Sequence, residues 1–374
     1  MKIFILHVRA GQGHKKAAEA LYEEFQKRDL GQSKDIRLMD ALDYTFFLFG
    51  KGYAFFYFLL VKYASWMWGF LYLLTDVWLP YPPLAFLRSL HNSLEAAKLE
   101  RLLVRENPDL IVTTHFFPAE VASRLKRQGK IRSRVVVVVT DFMVHRFWVN
   151  PGTDFYVGIL EETKEALLHL EVPAEKIFIL GIPVASRFLM PVDREKIKAQ
   201  LSLREGYLTV LITSGSFGSG PIQWAVDQIN ALHEKVQVIV VCGTNRGLYN
   251  SLKSLKTSLI LVVLGFVDNM HELMEVADVL VSRSSGLTTC EALVKKLPMV
   301  ILSKIPGQES YNAELLEKHK AAFDISGSQE LGGLIRDLIK NPGKLDEVRK
   351  NMAVLAKPSA SQTIVDLALK DLIR

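Results

Sequence analysis

Cysteine is almost absent: Cys242 and Cys290 are the 2 in 374 residues. Two thiols build neither a disulfide scaffold nor a cysteine zinc site, so the natural setting is a reducing compartment. No Asp-x-Asp occurs, which removes the paired carboxylates of a metal–diphosphate clamp. No His-Glu-x-x-His or Gly-x-Ser-x-Gly is present, which argues against zinc and serine hydrolases. No Gly-Lys-Ser/Thr follows a glycine loop, so a P-loop is excluded. Charge of one sign is also scarce. Lys+Arg 46 against Asp+Glu 40 leaves +6, enough to favour an anionic membrane surface or a phosphate ligand and too little to imply nucleic acid. The first residues lack an export signal, because Ile3–Leu6 is followed at once by His7 and Arg9. They read as a first strand, and the expected location is the cytoplasm unless another segment anchors the chain.

What is present is a rhythm. At 49% hydrophobic and 23% charged the chain is globular rather than disordered. About 150 residues per domain gives two domains. Short β-branched runs alternate with amphipathic helical stretches. Strands are expected at Lys2–Val8, Asp109–Thr113, Arg134–Thr140, Phe155–Gly158, Lys176–Leu180, Leu208–Thr213, Val236–Cys242, Leu259–Leu264, Val279–Ser282 and Met299–Leu302. The alternation predicts an α/β fold of parallel sheets, doubly wound with helices on both faces. Val135–Val139 is apolar throughout, as a strand buried on both faces requires. The rhythm restarts near Leu208, which puts a linker near 182–192. Two Rossmann-like domains facing a cleft would bind ligands at their strand C-terminal ends.

One segment breaks the rhythm. Residues 44–86 hold 17 aromatic residues against three charges, Lys51, Lys62 and Asp76. The charges keep every apolar run short of the roughly 20 residues that a membrane-spanning helix needs. If helical, Asp40, Tyr44, Lys51, Lys62, Ser65, Gly69 and Asp76 share one narrow stripe, with Phe58 intruding. A broad apolar face beside a thin polar stripe suits a helix lying in a bilayer interface, with lysine heads reaching water. Phe55, Phe58, Trp66 and Trp68 are the expected membrane contacts. The alternative is a buried helical pair in an aromatic core.

Five loops after strands carry the chemistry-bearing residues. In Arg9-Ala10-Gly11-Gln12-Gly13-His14 the glycines permit close ligand approach and the helix start attracts anions. The imidazole accepts a proton near neutral pH; a helix-capping His14 is the alternative. Thr213–Pro221 has three glycines and three serines, which offer amides and hydroxyls to a diphosphate unless it is an ordinary flexible connection. Ser282–Ala292 again enters a helix. Glu291, about one turn in, accepts two hydrogen bonds from a ribose diol or serves the helix dipole. Pro306-Gly307-Gln308-Glu309 offers Gln308 and Glu309 to sugar hydroxyls, or caps a helix. Thr140–Trp148 gathers Asp141, His145 and Trp148, which either shape an acceptor site or bond locally.

In order, six motifs carry a family resemblance. They are Gly11-Gln12-Gly13-His14-Lys15-Lys16-Ala17-Ala18, Thr140-Asp141 with His145 and Trp148, and Gly181-Ile182-Pro183-Val184. They continue with Gly265-Phe266-Val267-Asp268-Asn269-Met270, Ser285-Gly286-Leu287-Thr288 with Glu291-Ala292, and Pro306-Gly307-Gln308-Glu309. The chain resembles the glycosyltransferases of the monogalactosyldiacylglycerol synthase and processive diacylglycerol glucosyltransferase group, related to MurG. The resemblance runs from Lys2 to about Ala322.

The resemblance implies a GT-B architecture. Residues 1–187 would form the acceptor and membrane-associating domain, 188–358 the UDP-sugar domain, and 359–374 a helix crossing back. It implies inverting transfer of a hexose from a UDP-sugar to a membrane lipid, diacylglycerol first, with no catalytic metal or other cofactor. The expected place is the cytoplasmic face of the membrane. By position His14 is the general base, and Gly13, Asp141, His145 and Trp148 lie on the acceptor side. Ser216, Gly286 and Thr288 meet the diphosphate, assisted by Arg283. Phe266 and Val267 line the uracil, Glu291 binds the ribose, and Gln308 and Glu309 hold the sugar. Two departures stand out. Ser285-Gly286-Leu287-Thr288 is closer to MurG than to the Gly-Pro-Gly-Thr turn of plant-like synthases, and the aromatic segment follows the lipid-acceptor pattern loosely. The alternatives are a MurG-like N-acetylglucosaminyltransferase using a polyprenyl-linked acceptor, a UDP-GlcNAc epimerase, and a membrane-bound scaffold without turnover.

Overall fold

A computed structural model describes residues 1–9, 12–30, 34–45, 67, 95–327, 330–370 and 372. The expected membrane contacts Phe55, Phe58, Trp66 and Trp68 lie outside the described residues. The chain divides into two compact units. One comprises Met1–Ala185, Ile305–Gln308 and Lys357–Arg374, the other Ser186–Lys304 and Glu309–Ala356.

The first unit holds a six-stranded sheet, all parallel where paired, in the order β2-β1-β3-β4-β5-β6. Its strands are β1 (Lys2–His7), β2 (Asp35–Asp40), β3 (Leu110–Thr113), β4 (Arg134–Val138), β5 (Phe155–Gly158) and β6 (Ile177–Ile179). Its helices are α1 (Gln12–Lys27), α2 (Ala97–Glu106), α3 (Phe116–Arg127), α4 (Glu161–His169) and, from the end of the chain, Ala360–Leu369. Strand alternation decides which helices each face takes. Ile3 and Ile5 of β1 join Ala18, Leu21 and Phe25 of α1 and Ile364, Val365 and Ala368 of the last helix. Phe4 and Leu6, pointing the other way, join Leu103 of α2 and Val121 and Leu125 of α3. All four strand residues are fully buried, so β1 is apolar throughout because both of its faces are covered.

The second unit repeats the plan in the order β12-β11-β10-β7-β8-β9. The strands are β7 (Leu208–Thr213), β8 (Val236–Val241), β9 (Ile260–Leu264), β10 (Val279–Arg283), β11 (Met299–Ser303) and β12 (Ala322–Asp324). Between them run α5 (Arg194–Gln200), α6 (Ile222–Asn230), α7 (Arg246–Lys253), α8 (Met270–Val276), α9 (Gly286–Lys295) and α10 (Gln308–Lys318). The unit ends with α11 (Leu331–Lys340) and α12 (Gly343–Leu355). The last helix of the chain, already described, is α13.

Each expected strand forms, with small shifts at its ends. β2 and β12 are additions, and both are sheet edges. An edge strand is covered on fewer sides and needs no continuous apolar run. β2 reads Asp-Ile-Arg-Leu-Met-Asp, with Arg37 bonded to Asp35 at its own edge. The polar stripe expected from Asp40 onward is corrected at its start. Asp40 is extended, ends β2, and accepts from the Leu42 amide at 3.0 Å to cap the short 3-10 turn Ala41–Tyr44. Asp40 and Tyr44 therefore do not share one α-helical face. Among the described residues no helix is long and apolar enough to cross a membrane.

Both sheets have a switch point. From β1 the chain goes to β2 on one side and later to β3 on the other. From β7 it goes to β8 and β9, then to β10 on the opposite side. At such a point the loops leaving neighbouring strands diverge, and a crevice opens at their C-terminal ends.

Candidate active site

At the first switch point, the loop after β1 delivers Gly13 and His14 on the first turn of α1. The residues after β3 grip His14 from the other side. His14 Nδ1 lies 2.7 Å from the Thr114 carbonyl oxygen, and the Thr114 hydroxyl donates to the His14 carbonyl at 2.8 Å. A carbonyl oxygen only accepts, so this contact assigns the ring proton to Nδ1 and leaves Nε2 as the basic nitrogen. His14 is thus not a helix cap. Burial opposes its charged form and draws its pKa down to about 4; the Thr114 carbonyl works against that shift and nearby His7 adds to it.

The wall around His14 is aromatic. The His115 ring meets it edge-on at 4.7 Å, and Trp148 lies 6.4 Å away. His115 Nδ1 accepts the Phe117 amide at 3.1 Å, which caps α3, and burial holds this ring neutral. Trp148 is fully buried and its indole donates to Asp141 Oδ2 at 3.1 Å. Burial pushes the Asp141 carboxyl up to about 7, only partly opposed by the indole bond. His145 Nδ1 accepts the Phe147 amide at 3.2 Å and caps the short turn Arg146–Trp148. Of the expected acceptor-side residues, Asp141 is therefore tied to Trp148, and His145 to Phe147. The sequence reading missed Thr114 and His115. The signal for them is Thr114-His115, a polar pair directly after an expected strand, in the same position as the five loops above.

At the second switch point, the loop after β7 is built on glycines with left-handed backbone. Gly215 has φ +65° and Gly218 φ +54°. The Ser216 carbonyl accepts the Thr244 amide at 2.9 Å, so this loop lies directly against the one after β8. Arg283, the last residue of β10, brings Nη2 to 3.3 Å from where a Gly215 side chain would begin. Its Nη1 is 3.7 Å from Glu309 Oε1, and Glu309 is buried at the start of α10. Ser284 Oγ donates to the Glu309 carbonyl at 2.7 Å, and Asn312 Nδ2 donates to the Ser284 carbonyl at 2.7 Å. These bonds lock the loop after β10 to the start of α10.

The other residues expected on the donor side follow the same edge. Gly286, Thr288 and Glu291 lie in the first two turns of α9, Gly286 buried and the other two half-buried. Gln308 opens α10. Phe266 and Val267 follow β9, two strands from β7; Phe266 is exposed and Val267 half-buried. Glycine amides, hydroxyls and a guanidinium on one edge suit an anion such as a diphosphate. Among the described residues no three His, Cys, Asp or Glu side chains are grouped to hold a metal ion.

The fold is shared with solved structures. MurG of Acinetobacter baumannii matches with a TM-score of 0.62 at 16% identity, covering 99% of each chain. A UDP-GlcNAc 2-epimerase from Neisseria meningitidis matches with a TM-score of 0.63 at 15% identity, covering 99% of this chain and 100% of the other. Residues 14–184 match the monogalactosyldiacylglycerol (MGDG) synthase family, and residues 209–364 the glycosyltransferase family 28 C-terminal domain. The protein is a glycosyltransferase of the GT-B fold. A processive diacylglycerol beta-glucosyltransferase of Bacillus cereus is 29% identical over 378 residues, 99% of this chain and 94% of that one. Within its class, the chain is similar to the monogalactosyldiacylglycerol synthase family over residues 14–184 and to the processive diacylglycerol beta-glucosyltransferases along its length.

Proposed function

We propose that the protein transfers a hexose from a UDP-sugar to a membrane lipid, with inversion, and that diacylglycerol is the acceptor. The observation that carries this reading is the Thr114 carbonyl on His14 Nδ1, which leaves Nε2 as a base at the strand C-terminal edge. Nε2 takes the proton of the acceptor hydroxyl as its oxygen bonds to the anomeric carbon. The bond from that carbon to the β-phosphate oxygen breaks, and its electron pair leaves with UDP. Attack opposite the leaving group inverts the centre.

A ring with pKa about 4 is neutral at pH 7. The negative donor brought beside it favours the imidazolium as transfer proceeds. Arg283, the amides and hydroxyls of 214–220 and the start of α9 meet the charge on the diphosphate. No metal or other cofactor takes part in this reading. Glu291 binds the ribose, Phe266 and Val267 the uracil, and Gln308 with Glu309 the sugar. The aromatic residues of 44–86 hold the enzyme at the cytoplasmic face of the membrane, with a preference for anionic lipid.

The test incubates the protein with vesicles containing diacylglycerol or a polyprenyl-linked acceptor and each common UDP-sugar. Products are read by mass spectrometry and their anomeric configuration by NMR. An inverted glycosyl-diacylglycerol is expected. Absence of any glycolipid overturns the reading, and a product on the polyprenyl acceptor alone overturns the acceptor.

A further inference from the structure

We infer that Thr140 is a positioning residue for the His14 base, as the second of two oxygens that share the His14 Nδ1 proton. The inference rests on the proposed role of His14. Thr140 lies two residues beyond β4 and is buried. Its Oγ1 is 2.9 Å from His14 Nδ1, the same nitrogen that lies 2.7 Å from the Thr114 carbonyl oxygen. Because the carbonyl fixes the proton on Nδ1, that nitrogen has no lone pair left to accept a hydroxyl proton. Thr140 Oγ1 therefore accepts, and the N–H is forked between oxygens that follow two different strands.

The fork does two things a single bond does not. One acceptor leaves the imidazole free to swing about the bond; two acceptors from separate loops fix the ring and aim Nε2. When Nε2 takes a proton, part of the positive charge falls on Nδ1–H, and both hydrogen bonds strengthen. A carboxylate often fills this place behind a catalytic histidine. Here the next residue, Asp141, bonds Trp148 instead. The titratable neighbours His7 and His115 have lowered pKa values through burial, so neither sets a like positive charge against the imidazolium. Two neutral oxygens support the imidazolium without a buried anion.

The test compares wild type with Thr140→Val, which keeps the shape and removes the oxygen, and Thr140→Ser, which restores it. The Val variant is expected to lose about tenfold in kcat, on the scale of one hydrogen bond, with KM for the UDP-sugar within about twofold. 15N NMR of the His14 ring at pH 7 is expected to show the Nδ1–H tautomer in all three proteins, held by the Thr114 carbonyl, with relaxation showing a more mobile ring in the Val variant than in the wild type and the Ser variant. Unchanged kcat with an equally fixed ring in the Val variant overturns the inference while leaving His14 as the base. A His14→Ala enzyme with full activity removes the reading beneath it. Should the Val variant not fold, Thr140→Ala is read by the same two measurements.

Discussion

The indole nitrogen of Trp148 donates to Asp141 Oδ2 at 3.1 Å, while Oδ1 of the same buried carboxyl has no hydrogen-bond partner among the described residues. A carboxylate with one oxygen unsolvated resists ionising, which is why the group is pushed up to about 7 from 3.8. Below about pH 4 both the folded and the unfolded chain are protonated at Asp141. Between about 4 and 7 the unfolded chain releases this proton and the folded chain keeps it. Stability from this group therefore falls as pH rises, by up to about 1.4 kcal/mol per unit, and levels off above 7. Asp141→Asn keeps an oxygen for the indole and removes the titration. Urea unfolding at several pH values is expected to show the variant gaining on wild type from pH 5 to 7. A constant difference would contradict the buried, half-bonded carboxyl.

His14 titrates in the opposite sense. Burial lowers its pKa to about 4, so the free base persists far below the usual 6.5. The acid limb of kcat/KM, which reports the free enzyme, is expected near pH 4 rather than 6.5. The profile is best measured in the Asp141→Asn background, where the neighbouring carboxyl is silent. A limb at 6.5 would mean a solvated imidazole.

Gly218 tests the donor loop. A Cβ there would stand 2.1 Å from the Cys242 carbonyl oxygen, at φ +54°. The loop after β7 must shift for Ala to fit, so Gly218→Ala is expected to weaken UDP binding more than tenfold by calorimetry. Gly129, at φ +70° with nothing within 4 Å, is the control. Gly129→Ala is expected to cost about 1 kcal/mol of stability from backbone strain alone, with UDP affinity kept. Equal effects at the two sites would argue that the β7 loop is not a binding surface.

Much of this was legible because both sheets are buried on two faces. A β-branched run such as Val135–Val138 has only one stable place, the middle of a parallel sheet. Edge strands carry no such mark, and β2, with its Asp35–Arg37 pair, is absent from the expected strands for that reason. The candidate site loops announced themselves by glycine and hydroxyl residues after strands. Their partners did not. Thr114 meets His14 across 100 residues of sequence through a main-chain carbonyl, and a carbonyl leaves no trace in residue identity. The Asp141–Trp148 bond was similarly hidden, because acid, histidine and indole in one loop permit several pairings and only packing selects among them.

The central claim is that His14 Nε2 removes the acceptor proton. It is tested most directly by the transfer rate of His14→Ala from UDP-hexose to diacylglycerol vesicles, with UDP affinity measured on the same protein. The account predicts a loss of about 100-fold or more in turnover with UDP affinity unchanged. Turnover equal to wild type would contradict it.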